Sequence, residues 1–153
     1  MIKLKKLMMG TVLIGASLAS LPAMAAGAFT ILNQNYAITR ATNSETSALF
    51  VVLGKNNDAR VGVMFEADSS YKINTETPNP VKINGKYVKM IGTGCSNGLC
   101  YSIPYTKVGM DYLVGQTKAK SRIDIAGMNF SCVGFNATVK QLIKQKAEQA
   151  NAI

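Results

Sequence analysis

Short apolar runs separated by turn residues occupy most of this chain, and the hydrophobic period changes to a helical one only near its end. Tyr36-Ala37-Ile38-Thr39 reads as a strand and Thr42-Asn43-Ser44-Glu45 as turn material. The continuous apolar run 48–53 suits a central strand. The polar loop 54–58 joins it to the β-rich run 60–65, which predicts an antiparallel hairpin. Phe29, Ile31 and Leu32 mark a short strand or an ordered tail before these. The polar stretch 68–80, with Pro78 and Pro80, reads as a loop or in part an edge strand.

The sharpest local signal follows. Val81-Lys82-Ile83, Asn84-Gly85, Lys86-Tyr87-Val88 is strand, type I′ turn, strand, because Asn-Gly supplies the two positive φ angles that turn requires. The second strand is expected to run to Met90 or Ile91. Tyr101-Ser102-Ile103 predicts a short strand ended by Pro104, and 106–115 one or two helical turns with Val108, Tyr112 and Leu113 on one side and Gly115 as the stop. Residues 122–125 and 129–133 alternate around Ala126-Gly127 as a further hairpin. Phe135, Val139, Leu142, Ile143, Ala147 and Ala150 then recur at helical spacing, with Lys140, Lys144 and Lys146 outside the stripe. That helix either packs on the sheet or lies on a membrane surface, and the lack of large aromatics beyond Phe135 favours packing. The pattern predicts a mainly β fold: one antiparallel sandwich or barrel-like domain with a short helix and a C-terminal helix.

The first 25 residues stand apart. Lys3, Lys5 and Lys6 give a basic start, an uncharged run follows from Leu7 to Leu21, Pro22 breaks it, and Ala23-Met24-Ala25 supplies small residues for a peptidase. This is the layout of a bacterial secretory signal peptide, with the mature domain spanning 26–153 in the periplasm or beyond. The other reading is an uncleaved anchor, since Leu7 to Ala28 holds no charge and could just span a bilayer. Pro22 and the small triplet argue for cleavage. No Cys follows the apolar run, so a lipid-modified N-terminus is not expected.

Loss of the leader's three lysines lowers the net charge from +9 to +6. The simpler and favoured reading is a soluble, mildly basic surface; the sharper one is attraction to anionic partners, a protein, an envelope component, or peripheral contact with lipid headgroups. Nucleic acid is not expected, because Lys and Arg are spread along the chain without an aromatic-basic motif.

The chain has no His and no Trp. This removes the commonest general base near neutral pH, excludes Ser-His-Asp and Cys-His catalysis, and excludes imidazole metal sites. Glu66 and Asp68, two apart, are the least implausible acids for hydrolysis of an envelope polymer, although a solvated strand edge explains them more simply. Gly92-Thr93-Gly94 lacks the third Gly and the helix of a dinucleotide motif. No cofactor or metal is implied.

Export permits disulfides. Cys95 and Cys100 bracket Ser96-Asn97-Gly98-Leu99, and the Asn-Gly turn predicts a Cys95–Cys100 bridge. So short a loop stabilises by only about 2 kcal/mol, so the bridge shapes a local feature. Thr93, Ser96, Asn97 and Gly98 in this small, polar segment form a candidate recognition loop, pre-ordered by the bridge. Cys132 shares a period-2 face with Met128 and Phe130 and reads as a buried core thiol, the alternative being a pairing with one of the other two.

The second half, from the hairpin 82–86 through Cys95-x-x-x-x-Cys100, Ile103-Pro104, the short helix, and Gly134-Phe135 before a final helix, resembles the invasion-associated locus B family of exported Gram-negative proteins. The resemblance covers roughly 81–144. Gly98 lies two positions before Cys100 where the family has Gly one position before, and the family's early Cys is missing near Tyr36. Membership implies a β-rich exported domain linked to the envelope or to host-cell entry, with no defined catalytic residue to carry over. The leading expectation is a non-enzymatic binding protein serving host interaction or envelope stress. The rivals are the carboxylate hydrolase and a periplasmic inhibitor of a lysozyme; a basic protein meeting a basic enzyme is electrostatically unfavourable. N-terminal sequencing of the protein from a periplasmic fraction is expected to begin at Ala26, whereas a Met1 start on membrane-bound protein would establish the anchor.

Overall fold

Tight turns with left-handed backbone cut the chain into strands, most of which pair with a sequence neighbour. The computed structural model describes residues 28–33 and 35–153, so the expected leader and its expected cleavage site lie outside the described residues. The strands are β1 (Thr30–Ile31), β2 (Tyr36–Arg40), β3 (Ser47–Leu53), β4 (Ala59–Glu66), β5 (Asn79–Ile83), β6 (Lys86–Ser96), β7 (Leu99–Pro104), β8 (Arg122–Ile125) and β9 (Met128–Ser131). Helix α1 (Lys107–Ala119) follows β7, and helix α2 (Phe135–Ala150) closes the chain. The strands form one antiparallel sheet in the order β1-β2-β3-β4-β7-β6-β5-β8-β9, curled into a half-barrel. The mainly β expectation, with a C-terminal helix, holds.

Three hairpins turn in two residues, and in each both residues have positive φ: Asn84 (46°) with Gly85 (83°), Asn97 (53°) with Gly98 (78°), and Ala126 (52°) with Gly127 (84°). The pairs that close them are Ile83 with Lys86, Ser96 with Leu99, and Ile125 with Met128. Such turns match the twist of the flanking strands and fix register without slack.

The curl brings the last strand back toward the first. Ala41 forms an isolated bridge with Phe130, and the Phe29 amide donates to the Val133 carbonyl at 3.0 Å. The Asn43 side chain completes the seam: its Nδ2 donates to the Gly127 carbonyl and its Oδ1 accepts from the Asn129 amide, both at 2.9 Å. One face of the sheet packs with both helices around Leu49, Val51, Val63, Ile83, Ile123, Phe130 and the helical residues Leu113, Phe135 and Leu142. The Phe29 and Phe135 rings meet there at 5.4 Å. The opposite face carries a second buried cluster of Ile38, Phe50, Met64, Ile91, Tyr101 and Ile103. Strands buried on both faces read as continuous apolar runs, which explains the unbroken segment 48–53.

Three local expectations are corrected. Strand β6 does not stop at Met90 or Ile91 but continues to Ser96, through a bulge between Gly92 and Gly94 that leaves Thr93 as the extra residue. Glycine is required at Gly92, where a Cβ would come 2.7 Å from the Asn74 carbonyl oxygen. Helix α1 does not stop at Gly115, which is exposed with open space around it. Its buried residues Gly109, Leu113 and Thr117 recur every fourth position, so the packing stripe carries the helix past the glycine. Val108 lies off that stripe and is 77% exposed. In α2 the stripe buries Phe135, Thr138 and Leu142, while Ala147 and Ala150 are exposed beyond the sheet.

Ala126 is the one turn residue of the three hairpins whose side chain disfavours its backbone, since a Cβ in the left-handed region clashes with the following carbonyl. Ala126→Asn is expected to raise the unfolding free energy by about 0.5–1 kcal/mol, measured by urea denaturation, because Asn tolerates that conformation.

Candidate functional site

The Cys95–Cys100 disulfide is present, with Cα atoms 4.0 Å apart, but it does not close a loop. The two cysteines are directly opposed in register on β6 and β7, and only Asn97 and Gly98 lie outside the strands. The candidate recognition residues are therefore dispersed. Thr93 is buried at the bulge, with its hydroxyl 3.5 Å from the Tyr101 carbonyl oxygen, and Ser96 is a strand residue. Asn97 and Gly98 are exposed at the tip, yet the tip is tied down: the Ala67 amide donates to the Gly98 carbonyl at 3.0 Å, and Leu99 pairs with Glu66 on β4. The backbone here is held by the sheet before any disulfide is added.

Cys132 is free and buried, as its period-2 placement predicts. Burial pushes its thiol up to about 11, which disfavours the thiolate near neutral pH. Glu66 and Asp68 do not share a strand face, because β4 ends at Glu66. Asp68 is exposed and its carboxylate accepts from the Ser70 hydroxyl and the Ser70 amide, which hold it below the usual carboxylate range. A general acid needs the opposite shift. Among the described residues, no cluster of three His, Cys, Asp or Glu side chains is placed to hold a metal ion.

The most distinctive surface lies elsewhere, on the β5–β6 hairpin. Ile83, Val88 and Met90 point into the helix-side core. Alternation then places Pro80, Lys82, Tyr87 and Lys89 on the other face, and all four are exposed. Register sets Lys82 opposite Tyr87 and Pro80 opposite Lys89. The Lys82 ammonium lies 5.9 Å from the centroid of the Tyr87 ring. On the β7 side the Tyr105 amide donates to the Lys89 carbonyl at 2.8 Å, so the exposed Tyr105 extends the row. Helix α1 begins two residues later, with Thr106 as its cap: the Thr106 hydroxyl accepts from the Gly109 amide at 3.0 Å. Val108 is exposed in the first turn.

This hairpin is firmly held. Asn84 in its turn donates from Nδ2 to Gln116 Oε1 at 2.8 Å and accepts at Oδ1 from the Asp124 amide at 2.8 Å. The Tyr112 hydroxyl donates to the Ile83 carbonyl at 3.2 Å, and the Lys86 ammonium sits 4.9 Å from the Tyr112 ring centroid. Turn, helix α1 and strand β8 thus meet at one residue. Asn84 was legible as a turn former, not as this junction. The exposed row was legible in principle: once Asn84-Gly85 fixes the turn, period 2 puts Lys82, Tyr87 and Lys89 on one side.

Comparison of the chain with protein-family models, with curated proteins and with solved structures finds no match.

The buried Cys132 generates a pH prediction. Its folded-state value lies above the 9.0 of an unhindered thiol, so the stability tied to keeping it protonated is complete below pH 9 and is lost as pH rises toward 11. Burial also raises Tyr101 and Tyr36, which adds to the alkaline loss. Cys132→Val is expected to flatten the fall in thermal midpoint between pH 9 and 11 without abolishing it. Iodoacetamide at pH 8 is expected to label no thiol in the native protein and Cys132 alone in denaturant.

Proposed function

We propose that this protein is a non-enzymatic envelope protein, exported to the periplasm or secreted, that binds a partner through an exposed surface in host interaction or envelope stress. The single observation that carries the reading is the rigid, solvent-exposed row of Tyr87, Tyr105, Lys82 and Lys89 on the β5–β6 side of the sheet. Exposed aromatic rings beside cations are what binding surfaces use, since each ring offers large contact area with few rotatable bonds. A hairpin already fixed by Asn84 loses little further freedom on binding. The layout of residues 1–25 supports export, and the resemblance to the invasion-associated locus B family supports an envelope or host-contact role.

The carboxylate hydrolase reading is weaker. Asp68 is stabilised in its charged form, and the absence of His leaves no ready partner to share acid–base work near neutral pH.

The test is capture from an envelope extract by immobilised protein. Tyr87→Ser is expected to reduce recovery of the captured component at least about tenfold, with the thermal midpoint little changed, since a substitution at an exposed site usually costs no more than about 0.5 kcal/mol. Release of cell-wall fragments by the purified protein, lost on Glu66→Gln, would instead establish the hydrolase.

A further inference from the structure

The face that carries the exposed row changes character along its length. At the β2–β3–β4–β7 end it is apolar and buried around Phe50, Ile38 and Tyr101. At the β5–β6 end it is exposed and carries Lys82, Lys89, Tyr87, Tyr105 and Pro80. We infer that this end is a docking surface for the anionic headgroups of a phospholipid membrane. The inference rests on the reading of the protein as a binding module and names the partner of that same surface.

Three observations select this occupant. The first is charge. Lys82 and Lys89 lie diagonally on neighbouring strands, about 7–8 Å apart, within one screening length at physiological salt, so their fields add. The carboxylate of Asp111 on the adjacent helix does not cancel them, because Lys107 holds it at 2.7 Å. The second is that apolar groups accompany the cations. Tyr87 is 68% exposed and Tyr105 50%. A hydrated anionic polymer offers charge alone. A membrane interface offers charge above and an apolar layer beneath, and tyrosine, whose ring is apolar and whose hydroxyl is polar, partitions to that boundary. The third is arrangement. Alternate side chains of paired strands project from one side of the sheet, so Lys82, Tyr87 and Lys89 can meet one interface together. The Lys82 ammonium and the Tyr87 ring lie together on this side, 5.9 Å from nitrogen to centroid.

Each lysine near an anionic surface contributes roughly fivefold in partition, so two give about 25-fold. The experiment is co-sedimentation of the exported protein with vesicles, comparing phosphatidylcholine alone with phosphatidylcholine mixed with phosphatidylglycerol. Binding at least about tenfold stronger to the anionic vesicles, and weakened at high ionic strength, is expected. Lys82→Glu with Lys89→Glu is expected to abolish that preference, and Tyr87→Ser with Tyr105→Ser to weaken it. A control, Lys140→Glu with Lys144→Glu, makes the same change in net charge on the exposed side of α2 and is expected to leave it intact. Circular dichroism and thermal midpoints verify that each variant is folded. Equal loss in the control would mean that net charge, not this face, drives binding, and would overturn the proposal. Equal binding to neutral vesicles would overturn it too. No vesicle binding, together with Tyr87-dependent capture of a protein from envelope extract, would overturn the lipid partner and leave the binding module standing. Loss of both would remove both.

Discussion

Register is the constraint on which the rest of this structure depends. Side chains alternate across a strand, so a slip of one residue would exchange the core face for the solvent face throughout a hairpin. Two-residue turns with both backbones left-handed remove that freedom at three places. At Asn84-Gly85 the consequence is largest. Correct register buries Ile83, Val88 and Met90 and exposes Lys82, Tyr87 and Lys89. The slipped register would place two lysines and a tyrosine hydroxyl against Ile123, Ile125 and Leu113, where an unpaired cation costs far more than a turn contributes. The core and the exposed row are therefore two results of one choice.

The half-barrel is held shut by a different device. Strands β2 and β9 meet at the single bridge of Ala41 with Phe130, and the seam is lengthened by Asn43, whose amide satisfies one donor and one acceptor of the β8–β9 segment. A side chain that bonds the backbone in this way stands in for a ladder residue and protects the edge that two short strands would otherwise present. Lys146 acts similarly at the other layer: its ammonium donates to Asn57 Oδ1 at 2.9 Å and to the Gly54 carbonyl at 3.3 Å, tying the outer part of α2 to the β3–β4 turn. This lysine reads from the sequence as part of a free basic face, yet it is a clasp.

The elements legible in the sequence are those decided by local chemistry. The Asn-Gly turn, the apolar run 48–53, the hairpin around Ala126-Gly127 and the stripe of the last helix depend on neighbours a few residues away. What sequence reading missed depends on distant ones. Gly115 looks like a stop, but the burial of Thr117 four residues after Leu113, with its hydroxyl donating to the Leu113 carbonyl at 2.8 Å, outweighs the glycine's cost of about 1 kcal/mol. The extension of β6 through Gly92-Thr93-Gly94 requires Asn74, whose carbonyl accepts from the Gly92 amide at 3.0 Å; nothing within the glycine-rich stretch signals that partner. The cysteine spacing suggested a loop because a disulfide over four residues usually closes one, whereas here the two cysteines are opposed residues of the β6–β7 ladder, with β4 paired to β7 beside them.

The same contrast bears on the site. The chain carries a net charge of +9 spread along its length, and a diffuse charge selects no partner. Folding sorts that charge. Lys146 is clasped to a turn and Lys107 is paired with Asp111. Lys82 and Lys89 stand together on one face with two exposed tyrosines. Charges separated by more than a screening length act singly and weakly, while neighbours on a rigid hairpin act together. The Asn84 junction supplies that rigidity from three elements at once, so the side-chain row is presented without the loss of chain entropy that a mobile loop would incur on binding. A recognition surface built on paired strands in this way needs neither the disulfide nor a long loop, which is why the residues between the two cysteines were the wrong place to look for it.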